Sequence, residues 1–160
     1  MTIRFKIAAL MGFLLVTFSA AAIGGYATTT SVSTWFLTLQ KPSWNPPAWV
    51  LGPVWSVLYA AMAVAAWLVW MMKERGAEVR PALTIYFVQL VFNAAWSVIF
   101  FGLRRPDLAL FDIGLLWLAI AICTAMFYRI SRSAGWLMLL YFAWASFASA
   151  LNHSIWSLNR

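Results

Sequence analysis

The chain has 160 residues, of which 64% are hydrophobic and 9% charged, and it carries a formal net charge of +7. Soluble domains carry about 25% charged residues, and the few charges here cluster between apolar stretches of about 20 residues, the length that spans a bilayer as a helix. This balance excludes a sizeable soluble domain, and it takes nucleic acid away as the reason for the positive charge, because bases in short membrane loops set topology.

Five transmembrane helices are expected in a single domain covering 1–160. The first runs from about Phe5 to Ala27. Arg4 and Lys6, an apolar run from Ile7 and the small residues Ser19 to Ala22 resemble a secretory signal peptide. The apolar stretch nevertheless continues to Ala27, long enough to span, and a retained helix is expected. Next comes a connection from about Thr28 to Pro46, nearly twenty residues long. Loops of that length in compact domains are usually functional or disordered. Its aromatic series Trp35, Phe36, Leu37, Leu39, Trp44 argues against disorder. Its end, Lys41 to Trp49, holds three prolines and two tryptophans. Proline forbids a continuous helix and pushes the preceding residue toward extended conformations, so the segment reads as a restricted aromatic lid over a pocket.

The second helix is expected over about Pro47 to Met72, with Pro53 as a kink or a later start. The third covers about Pro81 to Leu103, the fourth about Pro106 to Ile130 with Asp107 suited to its first turn, and the fifth about Ala134 to Leu158. Short connections make helices two to five antiparallel neighbours. Arg4, Lys6, Lys73, Arg75, Arg80, Arg129 and Arg132 fall on one side, and Lys41, Arg104, Arg105 and Arg160 on the other. The positive-inside rule then places the N-terminus in the cytoplasm. A bacterial inner membrane is the expected location, with an outer membrane as the alternative.

Polar residues inside such helices need partners and usually face a bundle interior or cavity. In the third helix Gln89, Asn93, Trp96 and Ser97 fall on one face. They could bond neighbouring helices or line a ligand pocket. Trp55 and Tyr59 share a face of the second helix, and Trp144, Ala148 and Asn152 share one of the fifth. Each pairs a large aromatic with a polar tip, which suits an amphipathic ligand or a membrane interface. Trp67, Trp70, Trp117 and Trp136 are read as anchors or packing. Ala145 and Ser149 form a small-xxx-small pair, with Ala94/Val98 and Gly114 as weaker cues, so dimerisation is plausible.

Asp112 is an ionisable group inside the fourth helix, a functional candidate by default, or else an interfacial carboxylate near Arg104 or Arg105. His153 reads as a polar cap and Cys123 as a small core residue. No catalytic grouping, phosphate loop or metal cluster is visible; the expectation is a protein that is not an enzyme and has no obligatory cofactor.

Several of these residues together resemble the TspO/MBR family, the tryptophan-rich sensory and translocator proteins. They are Trp35-Phe36, the run Lys41 to Pro47, Pro53 and Trp55 with Leu58 and Tyr59, Gln89 with Asn93 and Trp96, Phe100 to Gly102, Tyr141 with Trp144, and Leu151-Asn152. The resemblance covers almost the whole chain. It implies a five-helix bundle, often dimeric, whose first loop folds over a pocket. It implies binding of porphyrins, haem-related tetrapyrroles and isoquinoline- or benzodiazepine-type ligands. Carried over by motif, the pocket would include Trp35, Pro42, Trp44, Trp55, Asn93, Ser97, Trp144 and Ala148. An acidic position in helix four of some members aligns with Asp112.

Two departures stand out. Phe36 replaces the tyrosine that follows the loop tryptophan in many members, so no phenol is available there. Residues 151–157 lack the tyrosine and arginine of the sterol motif found in animal members, although Arg80 to Val88, with Tyr86, fits a reversed sterol pattern. The leading expectation is therefore a membrane receptor or sensor for a tetrapyrrole, with Trp44, Trp55 and Trp144 stacking on the ring, Asn93 and Ser97 hydrogen-bonding, and Lys41 meeting a carboxylate. The alternatives are a porphyrin transporter and a light- or oxygen-dependent porphyrin-degrading protein.

Overall fold

The computed structural model describes residues 2–160, apart from the Arg75 side chain. Six α-helices follow in order: α1 (Ile3–Thr29), α2 (Trp35–Thr38), α3 (Ala48–Met71), α4 (Val79–Ser97), α5 (Pro106–Ile130) and α6 (Arg132–Leu158). A short 3₁₀ turn, Lys73–Arg75, precedes α4, and a π-helical turn, Val98–Gly102, extends it. All but α2 are long and apolar enough to cross a membrane. The molecule is an all-α, multi-pass integral membrane protein.

Helix ends follow local chemistry and shift some of the expected boundaries. The fifth spanning helix begins at Arg132 rather than Ala134, because Ser131 caps it, its hydroxyl accepting from the Ala134 N–H at 3.4 Å. The third begins at Val79, with Pro81 inside its first turn, where a missing N–H costs nothing. The first runs on to Thr29, and the hydroxyls of Thr28 and Thr29 fold back onto carbonyls of the preceding turn. Pro53 lies within a continuous α3, near its start. The third span ends in the π turn, closed by a Leu103 N–H to Val98 carbonyl bond of 2.8 Å.

The five spanning helices form a ring in which α1 packs on α3 and α4, α3 on α6, α6 on α5, and α5 on α4. Sequence order is thus broken at one place. The second and third spanning helices, α3 and α4, touch only lightly, because α1 lies against both. Small residues permit this. A Cβ on Gly24 of α1 would lie 2.9 Å from the Ser97 hydroxyl of α4. A buried hydroxyl pair, Thr17 with Tyr86 at 2.6 Å, ties the same two helices. Tyr86 is fully buried, so the reversed sterol pattern that contains it does not present its phenol to lipid.

The core runs along the ring axis through Met62, Tyr86, Ile120, Cys123, Phe127, Met138 and Tyr141, all essentially inaccessible. Ala145 is buried within this core and the Ser149 hydroxyl bonds the Ala145 carbonyl. Of the small-xxx-small pair, Ala145 is thus turned into the bundle and Ser149 is half-buried. Gly114 of α5, by contrast, has open space where a Cβ would stand.

Candidate functional site

The long first connection is ordered by three anchors. Ser31 is buried and its hydroxyl donates to the Phe101 carbonyl of the π turn at 2.7 Å. One turn later, α2 places Trp35 and Phe36 edge-on against Phe100, with ring centroids 5.9 and 6.2 Å away. Finally the Asn159 side chain clasps the backbone of Gln40, accepting from its N–H at 2.9 Å and donating to its carbonyl at 2.8 Å. The loop thus lies across the bundle end, held at α4 on one side and α6 on the other. Asn159→Ala removes the clasp, and each exposed bond contributes on the order of 1 kcal/mol. Amide hydrogen exchange around Gln40 is expected to quicken about fivefold or more, with the helices unaffected; unchanged exchange there would show that the clasp does not hold the loop.

Beyond Gln40 the chain turns through Pro42, whose carbonyl accepts from the Asn45 N–H at 3.0 Å. Pro42 is half-buried, while Trp44 is 45% exposed and stands edge-on to Phe147 of α6. From there an aromatic series continues inward. Phe147 lies 5.3 Å from Trp144, Trp144 6.2 Å from Trp55, and Trp55 5.6 Å from Tyr59. At its inner end the Tyr59 hydroxyl donates to Asn93 Oδ1, and Asn93 Nδ2 donates to the Tyr141 hydroxyl at 2.6 Å. Five candidate residues from four segments (Trp44, Trp55, Tyr59, Asn93 and Trp144) are thereby joined, and Ala148 packs beside them against the core.

Next to this series, an open apolar groove of about 680 Å³ runs between α3 and α6, walled by Pro53, Val54, Val57, Leu140, Trp144 and Phe147. The indole N–H of Trp144 is buried and has no hydrogen-bond partner among the described residues. It is a donor held in an apolar wall.

The remaining candidates are placed elsewhere. Trp35 and Trp96 flank Phe100, and the Trp96 indole donates to Asn152 Oδ1 at 2.9 Å. Asn152 in turn donates to the Pro106 carbonyl at 3.0 Å, so it secures the start of α5. Ser97 faces Gly24 of α1. Gln89 is fully buried against the Met62 sulfur at 3.8 Å, and its carbonyl oxygen lacks a partner. Lys41 turns back on its own loop, bonding the Leu39 carbonyl at 3.0 Å with its ammonium 4.6 Å from the Phe36 ring centroid. A carboxylate would have to draw it away.

Asp112 is not the interfacial partner of an arginine. Arg105 pairs with Asp107 at 2.6 Å, whereas Asp112 is buried with one oxygen unpartnered. His153 is exposed and lies against Trp156. Among the described residues no group of three His, Cys, Asp or Glu could hold a metal ion. Two participants escaped the sequence reading. Phe147 was discoverable, being three residues after Trp144 on the same helical face. Asn159 was not, since its partner Gln40 is 119 residues away.

Residues 13–157 match the model of the TspO/MBR family. The human translocator protein is 41% identical over 152 residues, covering 93% of this chain and 89% of that protein. The tryptophan-rich protein TspO of Chlorobaculum tepidum is 39% identical over 88% of this chain and 89% of its own length. A tryptophan-rich sensory protein of Cereibacter sphaeroides is 38% identical, with 91% of each chain covered. With a family match spanning nearly its whole length and relatives at this level of identity, the chain belongs to the TspO/MBR family.

Proposed function

We propose that this protein is a membrane receptor for a tetrapyrrole, a porphyrin or haem-related ring, taken up on the aromatic face formed by Trp55, Trp144, Phe147 and Trp44. Membership of the TspO/MBR family supports a membrane receptor or sensor role. The observation that carries the ligand class is the unpartnered Trp144 N–H within a continuous aromatic wall. A porphyrin has wide apolar faces with acceptors at its edge, and binding sites of this kind are mostly apolar with few placed polar groups. The groove between α3 and α6 is open and falls within the 300–1,000 Å³ typical of ligand sites. An amphipathic ring could arrive laterally from the bilayer. The same face suits flat isoquinoline- or benzodiazepine-type molecules.

Asn93 enters this reading with a condition. Both of its polar atoms are already engaged by Tyr59 and Tyr141, so a ligand must exchange one of those bonds to reach it. The same reading places the protein in an inner membrane with the N-terminus cytoplasmic. It takes a second copy of this chain as a partner.

Titration of the purified protein with protoporphyrin IX, followed by porphyrin absorbance, tests the proposal. Trp144→Ala is expected to weaken binding by about 30-fold, the loss of a central aromatic anchor. Trp144→Phe, which keeps a ring but not the N–H, should lose less. Trp136→Phe, on another face, should change nothing. Equal affinity in wild type, Trp144→Ala and Trp44→Ala would overturn the assignment.

A further inference from the structure

A second open groove, of about 480 Å³, runs between α5 and α6 at the end where the two helices meet across Ser131. Its walls are apolar, with Ala121, Ala125, Leu139 and Phe142. Its mouth is different. Tyr128 and Trp136 stand there edge to face, 6.2 Å apart, 44% and 60% exposed. Arg129, in the last turn of α5, completes the rim. Gly135 fixes this mouth, because its backbone touches that of Tyr128 so closely that no Cβ fits between them.

The Arg129 guanidinium is exposed and makes no ion pair; among the described residues the one ion pair, Arg105 with Asp107, lies at the opposite end of α5. Arg132, the first residue of α6, is also exposed. From depth to surface, the groove therefore runs from hydrocarbon wall to aromatic rim to unpaired guanidinium. That order matches the acyl chain, ester region and phosphate of a phospholipid. Guanidinium is suited to phosphate, which it can grip through two parallel N–H bonds.

We propose that this groove is a binding site for one anionic phospholipid, its acyl chain between α5 and α6 and its phosphate on Arg129. A purely structural Arg129 would complement the negative end of the α5 dipole. That role involves no choice between lipids, so lipid selectivity separates the two.

The test is native mass spectrometry of the detergent-purified protein with equal amounts of dioleoyl phosphatidylglycerol and dioleoyl phosphatidylcholine. Wild type is expected to retain the anionic lipid in preference by about fivefold or more, the contribution of one or two surface cations. Arg129→Gln should reduce that preference about fivefold, while Arg129→Lys should keep most of it. Ala125→Trp, which fills the channel, should lose both lipids. Equal retention of the two lipids by wild type, or an unchanged preference in Arg129→Gln, would overturn the proposal. So would an Ala125→Trp protein that loses a dimer and keeps its lipid, because the groove would then be a contact between copies. Arg129 lies at an exposed helix end, so its variants decide the matter even if Ala125→Trp does not fold.

Discussion

Replacing Asn93 by leucine is expected to destabilise the bundle by about 2–4 kcal/mol. Asn93 is 3% exposed and joins three helices, accepting from Tyr59 of α3 and donating to Tyr141 of α6. Leucine has the same number and branching of side-chain heavy atoms, so the outline is largely kept, any overpacking adds to the cost, and the main loss is polar. Both phenol groups would be left without this partner inside an apolar bundle, where water is not at hand to replace it. An orphaned buried group costs about 1–3 kcal/mol, and interhelical hydrogen bonds in membranes measure about 0.6–2 kcal/mol. Tyr141→Phe is expected to cost less, since it removes one bond and leaves only the Asn93 amide short of a partner. Adding Tyr141→Phe to Asn93→Leu should recover part of the loss, because the stranded phenol disappears. Unfolding in sodium dodecyl sulfate, followed by tryptophan fluorescence, measures all three. An Asn93→Leu protein as stable as wild type would show that the triad carries no structural load and that Asn93 is free for a ligand.

That triad marks the boundary of what a single sequence discloses. Apolar runs separated by charged clusters were enough to find five spanning helices, because length and hydrophobicity are local properties. Gln89, Asn93 and Trp96 were recognisable as inward-facing, since a polar group in a spanning helix has few other places to go. Their partners were not recognisable. Tyr141, Met62 and Asn152 lie on other helices, and nothing local pairs them. Helix order around the ring was hidden for the same reason. The short connection between α3 and α4 suggested direct neighbours, yet α1 packs against both, with Gly24 and Thr17 meeting α4. Ser97 shared the polar face of Asn93 in the sequence, but that backbone approach turned it toward α1.

The loop was legible in composition and hidden in mechanism. Its prolines and tryptophans announced a restricted aromatic segment. What fixes it is the π turn, where Ser31 meets the Phe101 carbonyl, and the clasp of Asn159 on Gln40. A π turn often marks a functional place in a helix, and here it supplies the surface on which Trp35 and Phe36 rest. Phe36 fills that role by shape alone, so the absent phenol is no loss to the packing. The aromatic wall and the lid are therefore anchored separately: Trp144 and Trp55 belong to rigid spanning helices, whereas Trp44 rides on the loop. Moving Trp44 would therefore leave the contacts of Trp144 and Trp55 with the core in place.

Substituting Gly135 by alanine is the sharpest test of how α5 and α6 are joined. Two effects compete. Alanine is favoured over glycine within a helix by about 1 kcal/mol. Against this, the new Cβ would lie 2.6 Å from the Tyr128 Cα, a backbone atom that cannot rotate away. Forcing extra volume into a close-packed site costs about 1–3 kcal/mol, and more where the backbone must move. With a one-residue connection at Ser131 the two helix ends have little freedom to part. The overlap wins, and a net loss of about 2 kcal/mol or more is expected. Gly114→Ala is the internal control: it faces open space on the same helix pair, so propensity acts alone and stability should hold or rise slightly. Detergent unfolding curves compare the two directly. Because Gly135 also fixes the rim of the lipid groove, Gly135→Ala should weaken the preference for phosphatidylglycerol while Gly114→Ala leaves it intact. Equal stability of the two variants would mean that α5 and α6 do not make the close approach at Tyr128.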